Sequence, residues 1–224
     1  MTDYSEAIQT IAVYAIPILF AFTMHEVAHG YAARYFGDKT AEERGGLSLN
    51  PIDHIDWFGT IILPLILFLT KAGIIIAYPK PTPVDYSRMR NPKKQMGFVA
   101  AAGPAANLAM GVAWGLLLII LSKLGVTETF VIEVVKAGVI TNAFLCGLNL
   151  LPIPMLDGWH ILMSLLPIEI GRKLAVVERY GIAVMLAILL LLNTQAFRVL
   201  VGTVFNFTLW LIQLILSPIT FILT

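Results

Sequence analysis

Phe20-Ala21-Phe22-Thr23-Met24-His25-Glu26-Val27-Ala28-His29-Gly30 sets two histidines and a glutamate inside an apolar run, and this combination decides how the whole chain is read. On a helix His25 and His29, four residues apart, share one face. Glu26 lies beside them, so the stretch has the pattern of a zinc-binding pair that carries its own general base. The residues before it, Ile11 to Met24, are almost wholly apolar. From about residue 9 to His25 a helix rises roughly 24 Å at 1.5 Å per residue, which ends inside a hydrocarbon layer about 30 Å thick. Ionisable side chains at that depth are costly, and where they occur they tend to be functional.

Composition agrees with a membrane setting. Of 224 residues, 58% are hydrophobic and 13% charged, with a mean hydropathy of +0.83. One small core cannot hide that much apolar surface, so lipid must solvate part of it. A net charge of +1 argues against a nucleic-acid partner. The single cysteine, Cys146, excludes a disulfide framework or a cysteine zinc site and is expected to pack in a core. The start Thr2-Asp3-Tyr4-Ser5-Glu6 is acidic, and no small-residue cleavage site follows, so the first helix is expected to be permanent.

Five segments are long and apolar enough to cross a bilayer: about 8–36, 95–122, 129–151, 174–193 and 197–223. A sixth, about 57–78, is broken by Pro64 and Lys71. If the N-terminus lies outside and 57–78 returns to the side it entered from, Arg34, Lys39, Arg44, Lys80, Arg88, Arg90, Lys93, Lys94, Arg172, Lys173 and Arg179 are all cytoplasmic. Lys123, Lys136 and Arg198 then fall outside. The expected fold is therefore all-α and polytopic, a single domain over 1–224 with a catalytic core at about 8–165 and additional helices at about 174–223. It has five to six transmembrane helices and a small membrane-embedded re-entrant β-element. The β-branched run Gly73-Ile74-Ile75-Ile76-Ala77-Tyr78, its extension Lys80-Pro81-Thr82-Pro83-Val84, and Gly46-Leu47-Ser48-Leu49-Asn50 are the candidate strands.

A catalytic zinc takes three protein ligands and keeps one open position. Asn149-Leu150-Leu151-Pro152-Ile153-Pro154-Met155-Leu156-Asp157-Gly158 offers the acid, since its prolines break the helix before Asp157. His160, three residues on, is the alternative ligand. His54, flanked by Asp53 and Asp56, suits an interfacial hydrogen bond or a water path. Asn107 suits either close helix packing or substrate contact.

The first-helix His-Glu-x-x-His with the downstream Asn-x-x-Pro-x-Pro-x-Leu-Asp-Gly resembles the site-2 protease family of intramembrane zinc metalloproteases, peptidase family M50. Ala102-Gly103-Pro104-Ala105-Ala106-Asn107 is similar to that family's middle core helix, and Lys80-Pro81-Thr82-Pro83-Val84 to the extended segment before it. The matches span roughly residues 20–165. The resemblance implies one zinc ion per chain held by His25, His29 and Asp157, with Glu26 as general base. It implies that Asn149 contacts the substrate backbone or the developing oxyanion. It also implies a minimal form without PDZ or CBS domains, in the cytoplasmic membrane of a prokaryote, with the active site nearer the cytoplasm. Its partners would be transmembrane protein or peptide substrates and the lipid bilayer. One departure stands out: Trp159 follows Gly158 where the family often has a second glycine, and an indole there is expected to anchor at the interface. A proteolytically silent scaffold of the same fold is the rival reading, and the intact His25, Glu26, His29 and Asp157 weigh against it. A transporter is the third, and no inverted repeat supports it.

Overall fold

The computed structural model describes residues 4–70, 77–178, 180 and 194–223, and among them every regular element is helical. Helix α1 runs Tyr4–Tyr35 and α2 is the short turn Thr40–Glu43. A 3-10 turn at Pro51–His54 precedes a π-helical turn at Trp57–Ile62, which continues into α3, Leu63–Leu69. An extended strap, residues 77–85, leads through a 3-10 turn at Tyr86–Arg88 to α4, Pro92–Lys123. The remaining helices are α5, Thr129–Asn149; α6, Asp157–Leu165; α7, Ile168–Glu178; and α8, Gln195–Leu223. Four of these, α1, α4, α5 and α8, are long and apolar enough to cross a membrane. The described residues thus form a multi-pass helical membrane protein.

Helix α4 is the centre of the bundle and touches α1, α5, α6 and α8. Its ends are written locally. Asn91 caps the first turn ahead of Pro92. Gly125, at φ +70°, ends it in the left-handed region, with Val126 N–H returning to Leu121 O at 3.0 Å. In lipid, helices gain little from burying apolar surface against one another, so close approach at small residues does the work. A methyl group at Gly111 would overlap Ile212 of α8, and one at Gly97 would overlap Ser164 of α6. Lys93 Nζ donates to the Leu166 carbonyl, tying the start of α4 to the end of α6.

Three expectations change. First, no strand forms among the described residues. Residues 46–50 make a turn and irregular chain, and 80–84 is extended without a strand partner. The cause is composition: Pro79, Pro81 and Pro83 have no N–H, so one edge of the strap cannot donate to a ladder. Lys71 and the run 73–76 lie outside the described residues. Second, four helices among the described residues, against the five to six expected, are long and apolar enough to cross a membrane, and the Trp57–Leu69 helix is shorter than these. At 1.5 Å per residue it rises about 20 Å, less than the hydrocarbon thickness of about 30 Å. Third, α8 runs parallel to α4. Val204 lies against Gly147 near the end of α5, while Ile212 and Leu216 lie against Gly111 and Gly115, progressively further from the histidines. Arg198 therefore sits at the same end of the bundle as His25, not at the opposite end as the sequence count had it. The expected fifth span at 174–193 coincides with α7 as far as Glu178, whereas Arg179 and 181–193 lie outside the described residues.

Candidate metal centre

His25 and His29 project from one face of α1 towards α4, and both are buried, as is Glu26. The Val99 carbonyl of α4 accepts from His29 Nδ1–H at 2.8 Å. His25 Nδ1–H donates to Asn107 Oδ1 at 2.6 Å. With Nδ1 the donor in both rings, each Nε2 carries a lone pair. The two Nε2 atoms are 3.1 Å apart.

Asp157 completes the cluster. The chain leaves α5, passes Pro152 and Pro154, and turns with Leu156 N–H donating to Ile153 O at 3.0 Å. Met155 takes φ +77° there, the left-handed position of a type II turn that follows a proline. This turn points α6 back at α1. Gly158 allows the fold-back, since a methyl group there would overlap the Leu150 and Leu151 carbonyls. Asp157 Oδ2 then lies 3.1 Å from His25 Nε2, and Oδ1 lies 3.3 Å from His29 Nε2.

Three lone-pair donors facing one point repel unless a positive charge lies among them. Asp157 Oδ2 is buried and receives no hydrogen bond, because the nitrogen beside it has its proton on the far side of the ring. Two imidazoles and a carboxylate, with their ligand atoms all within 4.8 Å of one another, match the donor set of a catalytic zinc with one position left open. The neighbouring helix is shaped to this cluster. A methyl group at Gly103 would fall 2.6 Å from His25 Cε1 and overlap His29 Nε2.

Glu26 is outside the cluster but next to it. Its Oε2 accepts from Thr82 N–H at 2.6 Å, and its backbone carbonyl accepts from Thr82 Oγ1 at 2.9 Å. The strap reaches it by alternation. Tyr78, Lys80 and Thr82 send their N–H groups to Gly59 O at 3.1 Å, His54 O at 2.9 Å and the glutamate. Asp38, fully buried, accepts from Asp85 N–H at 2.7 Å and fixes the strap's far end. At that exposed end, hydrogen bonds from Ser87 hold the Asp85 carboxyl below its ordinary range. Beside the strap lies a cleft of about 1200 Å³ lined by Arg44, Asp53, His54, Asp56, Lys80 and Thr82 among others.

The other predicted residues sort plainly. Asn149 is not drawn into the cluster, and its amide donates to Leu145 O of its own helix at 3.0 Å. His160 stands near the Tyr86 ring, 6.1 Å between centroids, while the acid three residues before it lies beside the two imidazoles. His54 is buried and donates from Nε2 to Ser48 O at 2.7 Å, a structural bond. Trp159 is buried rather than anchored at an interface. Cys146 is buried, as expected. Thr82 and Asn142 were not singled out from sequence. Thr82 could have been, as one of only two residues with an N–H in the run 79–83, and Asn142 as an amide in the middle of an apolar span.

A sequence model of peptidase family M50 matches residues 13–138 and 120–192. The chain is 35% identical over 178 residues to the protein described as "Putative zinc metalloprotease YwhC" from Bacillus subtilis, covering 77% of this chain and 78% of that one. It is 33% identical over 179 residues to a protein of the same description, Rip2 of Mycolicibacterium smegmatis, covering 77% of this chain and 64% of the relative. The Rip2 of Mycobacterium tuberculosis is 32% identical over 200 residues, with 88% and 71% covered. No solved structure gives a significant match. With a His-His-Asp cluster suited to a metal, four apolar helices and these matches, the chain belongs to peptidase family M50 and is a membrane metalloprotease of the zinc type.

Proposed function

We propose that the chain is an intramembrane endopeptidase that hydrolyses peptide bonds in or near transmembrane segments of other membrane proteins, with His25, His29 and Asp157 as zinc ligands and Glu26 as general base. The observation that carries this reading is the meeting of Asp157 with two imidazole Nε2 atoms at 3.1 and 3.3 Å, the imidazoles standing on a helix long and apolar enough to cross a membrane. Bound there, zinc would supply Lewis acidity, polarising a peptide carbonyl and bringing the pKa of a water towards about 7. Glu26 accepts the proton from the attacking water and returns it to the leaving amine. Thr82 N–H holds one carboxylate oxygen, so the glutamate is oriented before substrate arrives. The cleft beside the strap offers a polar route for water, at the end of the bundle that carries most of the basic residues. That end is assigned to the cytoplasm, in a cell membrane.

A helical substrate hides its peptide bonds and must unwind before cleavage. Strand addition to the strap is the physical route. Prolines at 79, 81 and 83 leave one edge of the strap with carbonyls alone, so an extended substrate would pair by donating its own N–H groups. Asn149 is the last residue of α5, ahead of the turn that leads to Asp157, and its assigned role is contact with the substrate backbone.

The test is Glu26→Gln in the purified full chain. Cleavage of a transmembrane substrate should fall by about 10²- to 10⁴-fold, the usual worth of a general base, while zinc stays bound. Equal cleavage by both forms removes Glu26 from the mechanism, and zinc-free active protein removes the metal.

A further inference from the structure

Two asparagines outside the ligand set are the least exposed polar side chains near the metal centre, Asn107 on α4 and Asn142 on α5, each at 0% exposure. Buried amides in an apolar span are expensive unless every group is satisfied. These two are satisfied by each other and by backbone carbonyls, in one direction only. Asn142 Nδ2 donates to Gly138 O, one turn back on its own helix, at 2.9 Å. Its Oδ1 accepts from Asn107 Nδ2 at 3.1 Å. Asn107 Nδ2 also donates to Ala21 O of α1 at 3.2 Å. That leaves Asn107 Oδ1 to accept from His25 Nδ1–H at 2.6 Å.

The polarity of this chain is fixed by the carbonyls of Gly138 and Ala21, which can only accept. Turning Asn142 over would set its Oδ1 against Gly138 O. Turning Asn107 over would set its Oδ1 against Ala21 O and Asn142 Oδ1, and its NH₂ against His25 Nδ1. His25 would then have to carry its proton on Nε2, which removes the lone pair that faces Asp157.

We propose that the Gly138–Asn142–Asn107 relay fixes His25 in its Nδ1–H form, making Asn107 and, through it, Asn142 positioning residues for the metal. The proposal rests on the reading of His25 as a zinc ligand. It adds that a residue on α5, with no contact to the cluster, helps set the chemistry of a ligand on α1. Partners that donate or accept at the distal nitrogen of a ligating histidine are typically worth 10- to 100-fold in metal affinity.

The experiment uses the full chain in detergent or nanodiscs, with zinc affinity measured by competition against a chelator of known affinity. Asn107→Leu should weaken zinc binding roughly 10- to 100-fold, and Asn142→Leu should weaken it by a smaller factor. Because Asn142 acts only through Asn107, the double variant should bind about as weakly as Asn107→Leu alone. Asn107→Asp, which keeps an acceptor for His25, should recover part of the loss. A second measurement needs no variant. Nitrogen-15 spectra of histidine-labelled, zinc-loaded wild type should show His25 protonated at Nδ1 and ligated at Nε2. Wild-type affinity in both leucine variants, multiplying losses in the double variant, or ligation through Nδ1 each overturns the relay. Failure of the wild type to bind zinc at all overturns the metal reading and the relay with it, a result separate from the first three.

Discussion

At Gly103 two physical effects pull in opposite directions. Replacing a helical glycine by alanine ordinarily stabilises a helix by about 1 kcal/mol. Here the added methyl group would overlap both metal-facing imidazoles. Overpacking of this kind costs about 1–3 kcal/mol, so Gly103→Ala should leave the zinc-free protein no more stable than wild type while lowering zinc affinity at least tenfold, the lower end of what displacing a ligand's support costs. Unfolding curves and chelator competition on the same preparation check this. A gain in stability with unchanged zinc affinity would mean that the rings move aside freely. Thr82 makes a second residue-scale case. Thr82→Pro deletes the N–H that holds Glu26 Oε2 at 2.6 Å. Hydrogen bonds to charged groups are worth about 1.5–3 kcal/mol, so the turnover number should drop roughly 10- to 100-fold with zinc content unchanged. Undiminished turnover would show that the strap does not orient the base.

The elements follow from where helix is forbidden. Pro152 and Pro154 end α5, and the turn between Ile153 and Leu156 reverses the chain so that Asp157 begins α6 facing α1. Met155, largely exposed, holds the left-handed conformation that glycine adopts without strain. Met155→Gly should stabilise the folded chain by about 1 kcal/mol, the usual cost of a side chain in that region, and leave zinc affinity intact. Denaturant unfolding in micelles measures it, and a loss of stability would place the turn's value in the Met155 side chain instead. The alternating prolines of 79–83 act in the opposite sense. They keep the strap extended and deprive it of half its ladder, which is why extended backbone is present where a β-element was expected and no strand is formed. Periodicity in sequence cannot separate these cases, because strand requires a partner as well as a conformation.

For the molecule as a whole, the course of α8 decides the topology. It runs parallel to α4, so Arg198 joins the basic end of the bundle and leaves Lys123 and Lys136 at the other. Single cysteines at positions 90, 198 and 123, in a background with the buried Cys146 replaced by alanine, test this with a membrane-impermeant thiol reagent. Positions 90 and 198 should label from one side and 123 from the other. Labelling of 198 together with 123 would reverse the assignment of α8. The consequence for the proposed function is that basic charge is gathered at the end of the bundle that carries the metal cluster, the pattern on which the proposed cytoplasmic orientation rests.

The sequence by itself determined the ligand types and their spacing on α1, the membrane setting and the helical class, because these depend on local period and on the cost of ionisable groups in lipid. It also marked Asp157 as the candidate acid, since the prolines before it break the helix, and the structure places that carboxylate 3.1 and 3.3 Å from the two imidazoles. Only the tertiary structure decided which groups stand behind the ligands. Asn107 and Asn142 are 35 residues apart and meet in the bundle core, Thr82 reaches Glu26 across 56 residues, and α8 lies parallel rather than antiparallel to α4. Contacts of that kind are set by how helices pack and in which direction they run. No local pattern encodes either, so they become visible once the bundle is closed.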